Sequence, residues 1–292
     1  MKELMFSIIA CAMIWALAGF FGVAQQKQGS DQPRIYNTVK QKLMEGKQVI
    51  AGTVASPDPN MYRAMANAGF DCFWIEMQHS PLTYQDVATM IWAGKGSPAI
   101  PFIRVPDANE GDIQKAVDIG ALGIIVPMVD TPEKAQAAVH WAKYPPLGHR
   151  SQGSGQYGAL WGRDYRETAN DNIVMVIMIE TPLGVENVEK IAAVPGVDVI
   201  FIASSDLGSF SGYRQGDPQY EALVTRIHDF VLSKGLKLGG PLAWKGSRQG
   251  YTFFQGPDEA ALLQSGAKAS LGNIAEPAGR KTGIAPIEGA NP

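Results

Sequence analysis

The sequence predicts a single (β/α)8 barrel, and three features of the chain carry this prediction. From about Lys47 onward, short apolar runs alternate with amphipathic stretches, which is the pattern of repeated βα units around a parallel sheet. There are eight such runs, and they fit within about 230 residues, the usual length of a closed eight-stranded barrel. Several runs are apolar at consecutive positions, as expected of strands that are covered on both faces. Together these features favour a closed barrel over an open sheet.

The predicted strands are bounded by polar or Gly-containing stretches. They are Gln48–Val54, Asp71–Met77, Ala99–Val105, Gly123–Met128, Ile173–Ile179, Asp198–Ala203, Leu236–Gly240 and Tyr251–Phe254. Helices between them are marked by N-terminal caps: Asp58 and Thr131 each precede a proline, which is a typical helix start. The connection from Tyr144 to Asn172 departs from this rhythm, and its length indicates a functional loop.

The two ends of the chain differ from the predicted barrel. The apolar, uncharged run from Leu4 to Val23 predicts an export signal over residues 1–24, cleaved after Ala24. An uncleaved membrane anchor is the alternative, because about 20 apolar residues can span a bilayer. We therefore expect an exported protein, periplasmic or secreted, that is attached to the membrane only if this segment is retained. The other predicted parts are a leader and first helix (25–46), the barrel (47–272) and an extended tail (273–292).

Charge and cysteine content exclude several classes of function. The formal net charge is -3 and the basic residues are scattered, so the sequence offers no surface for nucleic acid or for anionic lipid. Of the two cysteines, Cys11 lies in the predicted signal. Cys72 is then left without a partner, which excludes a disulfide framework or a cysteine-based zinc site. We predict that Cys72 is a small buried core residue.

Polar side chains follow four of the predicted strands at the end where (β/α)8 enzymes place their active sites. They are Glu76 at the end of strand 2 with Gln78 and His79 just beyond it, Arg104 at the end of strand 3, Glu180 after strand 5, and Ser204, Ser205 and Asp206 after strand 6. Any one of them can be a helix cap or a solvated loop residue, but their convergence favours a catalytic site. Glu180 and Asp206 are suited to a hard divalent cation such as Mg²⁺ or Mn²⁺. Arg104 is suited to an anionic oxygen, and His79 to proton transfer.

At these residues the chain resembles the HpcH/HpaI family of metal-dependent aldolases, within the phosphoenolpyruvate/pyruvate barrel superfamily. The resemblance runs from about Val49 to Gly266. Its carriers are Gly69-Phe70-Asp71, Glu76-Met77-Gln78-His79, Arg104-Val105-Pro106, the run from Asp118 to Val129, Tyr144-Pro145-Pro146-Leu147-Gly148-His149-Arg150, Ile179-Glu180-Thr181 and Ser205-Asp206-Leu207. The match of so many motifs in one order makes chance similarity an unlikely explanation.

The resemblance implies a reversible aldol reaction in which a divalent metal ion (Mg, Mn or Co) stabilises the enolate of a 2-oxo acid. It implies that Glu180 and Asp206 hold the metal, that His79 and Glu76 serve proton transfer, and that Arg104 steadies the enolate oxygen. The expected reaction cleaves a 4-hydroxy-2-oxo acid to pyruvate, or a related 2-oxo acid, and an aldehyde. The resemblance also implies a homo-oligomer, a hexamer in the family pattern.

Three departures from the family pattern leave the substrate open. The segment from Glu76 to His79 replaces Asp-Gly-Glu-His or Asp-Met-Glu-His, so Gln78 has lost a charge. Met178 replaces a glutamine, and Ala203-Ser204-Ser205-Asp206 replaces Gly-Pro-Ala-Asp. We predict that Gln78, Met178, Ser204 and Ser205 contact the substrate. A citrate-synthase-like condensing enzyme, or another lyase on the same scaffold, is an alternative. A non-catalytic exported barrel that binds a small anion is another.

The remaining polar residues carry weaker expectations. His140 and His228 fall within helical periods and are expected to be surface or packed structural residues. His149 begins the long connection and is a minor candidate for substrate contact. Asp130 and Lys143 are expected to be ordinary charges at helix ends.

Overall fold

The computed structural model describes residues 34–272, and its eight strands close into one parallel barrel. The strands are β1 (Val49–Val54), β2 (Cys72–Glu76), β3 (Ile100–Arg104), β4 (Gly123–Val126), β5 (Val174–Ile179), β6 (Val199–Ile202), β7 (Lys237–Pro241) and β8 (Tyr251–Asp258). They pair in sequence order, and β8 pairs with β1 to complete the ring. The predicted (β/α)8 fold is confirmed. The predicted signal and tail lie outside the described residues.

Helices follow most strands. They are α1 (Thr38–Met44), α2 (Pro59–Ala66), α3 (Tyr84–Ala93), α4 (Glu110–Asp118), α5 (Pro132–Ala142), α6 (Tyr157–Trp161), α7 (Tyr165–Asn172), α8 (Pro182–Glu186), α9 (Val188–Ala192), α10 (Ser204–Ser211), α11 (Pro218–Ser233) and α12 (Glu259–Leu271), with a 3-10 turn at Leu242–Trp244. The predicted caps are confirmed, since Asp58 accepts from Asn60 and Thr131 accepts from Lys134. Within residues 34–272, no helix is long and apolar enough to cross a membrane.

Strand β8 is longer than the sequence predicts. The expected strand ended at Phe254 because Gln-Gly-Pro-Asp has the composition of a turn. In the structure Gln255 still pairs with Ala51 of β1, and Asp258 pairs with Thr53. The register shifts between these two pairs, which is a β-bulge. Pairing with β1 therefore overrides the local turn preference.

Four aromatic rings fill the barrel interior below the strand C-termini. Trp74 packs on Phe201 with ring centroids 4.9 Å apart, and Phe253 lies 5.9 Å from Phe102 and 6.4 Å from Phe201. Glycines on two strands make room for these rings. A Cβ at Gly123 would lie 2.1 Å from the Phe102 ring, and one at Gly239 would lie 2.6 Å from Phe201. This layer of four rings, the aromatic floor, lies directly beneath the candidate site. Cys72, on β2, is fully buried as predicted.

The long connection between α5 and β5 packs at the opposite end of the barrel from the candidate site. It contains two helices, α6 and α7, and its Gln156 amide donates to the carbonyl of Ile119 at the end of α4, 2.6 Å away. Arg150 is buried and binds Asp118 and the Tyr165 hydroxyl, each at 2.8 Å. These contacts join helix ends at the N-terminal side of the strands. The connection therefore stabilises that side of the barrel and does not lie at the mouth, by which we mean the C-terminal ends of the strands.

Lys143 is not an ordinary helix-end charge, and that expectation is wrong. The side chain is 1% exposed, and its Nζ donates to the carbonyl oxygens of Asn170 (2.8 Å) and Ile173 (2.5 Å). The connection folds back over the end of α5 and covers the amine, which the helical pattern alone could not show. Burial lowers the pKa of Lys143 to about 7, because the charged form is poorly solvated there.

Candidate active site

The C-terminal ends of the strands surround a cavity of about 120 Å³. Its lining consists of Arg104, Met178, Phe201, Ala203, Ser204, Ser205, Asp206, Pro241 and Gln255. Five of these residues were predicted as site residues from the sequence: Arg104, Met178, Ser204, Ser205 and Asp206. Gln255 and Pro241 were not, because the turn-like segment around Gln255 was expected to lie beyond strand 8.

Glu180 and Asp206 approach each other from neighbouring strands, and Asp206 lines this cavity. Glu180 directly follows β5 and is 1% exposed, while Asp206 stands in the first turn of α10, directly after β6. Burial raises the pKa of Glu180, and contact with the Asp206 carboxyl group raises it further. Within residues 34–272, no cluster of three or more His, Cys, Asp or Glu side chains is placed to hold a metal. The acid pair therefore stands as two carboxyl groups in contact, one after β5 and one after β6.

The backbone of Met128 fixes the Glu180 carboxylate. Its N–H donates to Glu180 Oε1 across 2.8 Å, and this contact opposes the rise in the pKa of Glu180. Met128 has a φ of 53°, in the left-handed region that residues other than glycine rarely adopt. Strain of this kind is often found at functional sites. Predicted strand 4 ran through Met128, and this role was not predicted, since nothing in the local sequence marks a positive φ.

A second contact ties the ends of β4 and β5 together. The Thr181 hydroxyl donates to Asp130 Oδ1 at 2.5 Å, and the Asn187 amide donates to the Asp130 carbonyl at 2.8 Å. Asp130 is thus not the ordinary helix-end charge that the sequence suggested. It holds the segment that carries Glu180 against the loop that carries Met128.

Glu76 accepts four hydrogen bonds at the mouth. Its Oε2 accepts from Arg104 Nη1 (3.1 Å) and Trp74 Nε1 (3.2 Å). Its Oε1 accepts from the backbone N–H groups of Gln78 (2.9 Å) and His79 (3.0 Å). The carboxylate therefore joins the guanidinium on β3 to the loop that carries His79.

Arg104 lines the cavity, and two of its donors lack a partner among the described residues. The residue is 6% exposed, and its Nε and Nη2 atoms are buried without a hydrogen-bond partner in the part of the chain that the structure describes. Buried donors of a charged group are costly to leave unpaired, so they call for an acceptor that the protein itself does not supply. Arg104 also contributes to lowering the pKa of Glu180 against the effect of burial, which places it close to the acid pair.

His79 and Gln78 lie on the loop after β2, beside the cavity rather than in its lining. The His79 side chain is exposed, and its backbone N–H is held by Glu76. Gln78 is half-buried, with an Oε1 atom that has no partner among the described residues. The structure thus places both residues on the loop that follows β2, with the imidazole exposed.

The N-terminus of α10 forms one wall of the cavity. The helix begins at Ser204 after Ala203, and no side chain caps this end. The uncapped N–H groups and the positive end of the helix dipole therefore face the cavity next to Ser205 and Asp206. A helix end of this kind is an anion-binding site. The Tyr220 hydroxyl, which donates to the Ser204 carbonyl at 3.0 Å, holds the turn in place.

The other histidines lie away from the mouth. His149 donates its N–H to the His140 carbonyl (2.7 Å), and the two rings stack with centroids 5.2 Å apart at the end of α5. The suggestion that His149 contacts substrate is therefore wrong. His140 is exposed, and His228 contacts Asp229 and the carbonyl of Gln249, as expected for surface residues.

The closed barrel with an acid pair, an arginine and an open helix end at its mouth defines a (β/α)8 enzyme. The family model of HpcH/HpaI aldolase/citrate lyase matches residues 53–233. A curated relative, 2-dehydro-3,6-dideoxy-6-sulfogluconate aldolase of Pseudomonas putida, is 33% identical over 218 residues, which cover 71% of this chain and 85% of the relative.

Two solved structures show the same fold. An HpcH/HpaI aldolase/citrate lyase family protein of Burkholderia cenocepacia J2315 superposes with a TM-score of 0.75 at 27% identity, over 82% of this chain and 99% of that one. Citrate synthase SbnG superposes with a TM-score of 0.70 at 30% identity, over 80% of this chain and 95% of that one. The chain therefore belongs to the HpcH/HpaI aldolase/citrate lyase family. It is a lyase of the aldolase type.

Proposed function

We propose that this protein is a divalent-metal-dependent aldolase that cleaves a 4-hydroxy-2-oxo acid to pyruvate, or a related 2-oxo acid, and an aldehyde. One observation carries the proposal: the Glu180 carboxyl group contacts that of Asp206, and Asp206 lines one cavity with Arg104, whose Nε and Nη2 donors have no partner among residues 34–272. The name of the Pseudomonas putida relative supports the substrate class, because a 2-dehydro-3-deoxy sugar acid is a 4-hydroxy-2-oxo acid.

The donor set fits a hard cation. Two carboxylates on adjacent strands provide oxygen ligands, and an ion bound there keeps positions for water and substrate, as Mg²⁺ and Mn²⁺ do. Co²⁺ is retained as a third candidate from the family resemblance. When bound, the metal supplies Lewis-acid stabilisation of negative charge on the 2-oxo acid. Met128 restrains one oxygen of Glu180, which keeps the ligand oriented.

The chain's own residues bind the substrate, stabilise its developing charge and transfer its proton. The N–H groups at the start of α10 bind the substrate carboxylate, and Arg104 donates to the 2-oxo oxygen as it gains charge. His79 takes the proton from the C4 hydroxyl. The C3–C4 bond then breaks, its electrons form the enolate, and the C4 carbon leaves as the aldehyde. Protonation of C3 completes the 2-oxo acid. Glu76 has all four hydrogen bonds engaged and acts by positioning Arg104 and the His79 loop.

Release of pyruvate is the direct test. Protein stripped with a chelator and dialysed is given a panel of 4-hydroxy-2-oxo acids, and pyruvate is followed with lactate dehydrogenase. Added Mg²⁺, Mn²⁺ or Co²⁺ should restore turnover, while Asp206→Asn should stay inactive with each ion. Glu189→Gln, an exposed acid on α9, is the matched control and should behave as the wild type. Equal turnover before and after chelation would contradict metal dependence.

A condensing reaction is the second candidate. The similarity to citrate synthase SbnG favours it, together with Met178, Ser204 and Ser205 in the cavity lining. It keeps enolate chemistry but changes the partners: the enolate of an acetyl thioester adds to the keto carbon of a 2-oxo acid, and hydrolysis of the thioester releases the thiol. Mass spectrometry of mixtures of 2-oxo acids and an acetyl thioester would detect the condensation product. Binding of Mn²⁺ and oxalate without turnover in either panel would instead support the non-catalytic anion-binding barrel.

A homo-oligomer, and a hexamer in particular, remains part of this proposal through the family resemblance. Light scattering coupled to size-exclusion chromatography measures it. A mass near that of the 31.4 kDa chain would contradict an oligomer.

A further inference from the structure

Gln255 shares the cavity with the predicted site residues Arg104, Met178, Ser204, Ser205 and Asp206. It stands two residues beyond Phe253 on β8, and the Phe253 ring packs against Phe102 and Phe201 inside the barrel. Because alternate residues of a strand share a face, Gln255 faces the interior directly above this aromatic floor. Its side chain is partly exposed, and its amide has no hydrogen-bond partner among residues 34–272.

The backbone on both sides of Gln255 is anchored. Gln255 pairs with Ala51 on β1 and with Pro241 on β7. The β-bulge follows at once, where the Thr53 hydroxyl donates to the carbonyl of Gly256 at 2.9 Å. A Cβ at Gly256 would lie 2.7 Å from the Ala51 carbonyl, so only glycine fits this approach. Bulges re-aim side chains near active sites, and this one holds the amide at the mouth without a protein partner.

The surroundings define what the amide can bind. The lining of the same cavity includes the apolar side chains of Phe201, Pro241 and Met178. In the proposed function, Asp206 holds the metal, and Arg104 and the N-terminus of α10 bind anionic oxygens. These groups therefore contact the 2-oxo acid end of a substrate. A carboxamide offers an NH2 donor group and a carbonyl acceptor without charge, so it can both donate to and accept from an alcohol, whereas a carboxylate can only accept. An amide beside apolar walls is unfavourable unless it has a polar partner.

We infer that Gln255 hydrogen-bonds a hydroxyl group on the aldehyde half of the substrate, so that it selects hydroxylated aldehydes. This inference rests on the proposed aldolase function and names a specificity-determining residue for it. The residue contacts the part of the substrate that the acid pair and Arg104 do not bind. Its effect lies in the choice of aldehyde and not in the formation of the enolate.

The test compares glycolaldehyde with acetaldehyde, which differ by one hydroxyl group. Aldol addition of pyruvate is measured with Mn²⁺ for the wild type, Gln255→Leu and the control Gln48→Leu, which alters a glutamine before β1. The quantity compared is the ratio of kcat/KM for the two aldehydes. This ratio is independent of the fraction of correctly folded enzyme, so a partly unfolded variant remains informative.

Gln255→Leu should lower the glycolaldehyde to acetaldehyde ratio by about 3- to 10-fold, the usual effect of one neutral hydrogen bond. The loss should fall on glycolaldehyde, and Gln48→Leu should keep the wild-type ratio. A wild type that turns over both aldehydes, with an unchanged ratio in Gln255→Leu, would overturn this inference and leave the aldolase function standing. A wild type that adds pyruvate to neither aldehyde contradicts the aldolase function and this inference with it.

Discussion

Arg104 and Glu76 are direct register partners on β3 and β2, and Nη1 of the guanidinium lies 3.1 Å from Oε2 of the carboxylate. Both side chains are buried. The pairing uses one nitrogen of the guanidinium, and Nε and Nη2 have no partner among the described residues. Glu76 therefore determines which edge of Arg104 a substrate meets. Removing one partner of a buried ion pair strongly destabilises the folded protein. Conservative replacements are therefore preferred, because they separate a loss of activity from a loss of folding.

Arg104→Lys should reduce kcat/KM by about 10²- to 10³-fold, as expected for the loss of one donor to a developing oxyanion. Lysine keeps the positive charge and can still pair with Glu76, but it lacks the planar fork that carries Nε and Nη2. Pyruvate release by the metal-loaded enzyme measures the effect, and a urea titration checks that the variant is folded. Full activity in a folded variant would argue against the oxyanion role.

Much of the fold was predictable because the decisive signals are local. The eight apolar runs locate the strands, and a barrel places the residue after each strand at one rim, which is why Glu180 and Asp206 could be named as neighbours. Caps such as Asp58 depend on two or three consecutive residues and were predictable for the same reason.

The missed features depend on contacts between distant parts of the chain. Gln255 belongs to a strand only because β1 pairs beyond the turn-like residues, and Lys143 is buried only because the following connection covers it. The backbone of Met128 adopts a positive φ that its sequence does not favour. In each case the tertiary structure overrides a local preference.

Loss of either carboxylate of the acid pair should remove metal binding. Asp206→Asn and Glu180→Gln keep the size of each side chain but remove a charged oxygen ligand. We expect Mn²⁺ affinity to fall by more than about 100-fold, beyond the usual effect of altering an outer contact to a ligand. Isothermal titration with Mn²⁺ measures it, and Glu189→Gln supplies the matched control. Undiminished affinity in Asp206→Asn would show that the metal site is elsewhere.

Lys143 should make stability depend on pH. Its pKa is lowered from 10.5 to about 7 in the folded chain, so between these values the unfolded chain binds more protons than the folded one. The free energy of unfolding should therefore rise with pH from about 7 toward 10.5, by up to about 1.4 kcal/mol per pH unit from this group. Below pH 7 both states are protonated and the dependence should disappear.

The contribution of Lys143 is isolated by comparison with Lys143→Met. Urea unfolding of both proteins at several values between pH 6 and pH 9.5 gives the difference in free energy, which removes the effects of other titrating groups. The difference should shift in favour of the lysine form as the pH rises. A difference that stays constant across this range would mean that the amine remains charged in the folded chain, stabilised by the carbonyls of Asn170 and Ile173.

Export is a proposal that rests on the apolar run before Ala24. Expression of the full chain in a bacterial host should yield mature protein outside the cytoplasm with an N-terminus near Gln25. Intact-mass measurement of fractionated cells identifies the terminus. Membrane-associated protein that retains the run would support the uncleaved anchor, and cytoplasmic protein that retains Met1 would contradict export altogether.

His79 should be required for proton transfer and not for metal binding. Its backbone is fixed by Glu76 at the rim, while its exposed ring is free to approach a substrate hydroxyl. Loss of a general base usually costs about 10²- to 10⁴-fold in rate, so His79→Ala should lower kcat by that factor and leave Mn²⁺ affinity near the wild-type value.

The matched control for His79 is His140→Ala, since that imidazole is also exposed but lies at the other end of the barrel. It should keep wild-type turnover. A second readout separates proton transfer from mere loss of fold: exchange of the pyruvate methyl protons with solvent, followed by NMR, does not require the aldehyde step. If His79 acts only on the C4 hydroxyl, His79→Ala should lose aldol cleavage and retain methyl exchange. Unchanged cleavage in His79→Ala would eliminate the role and leave another group at the mouth as the proton acceptor.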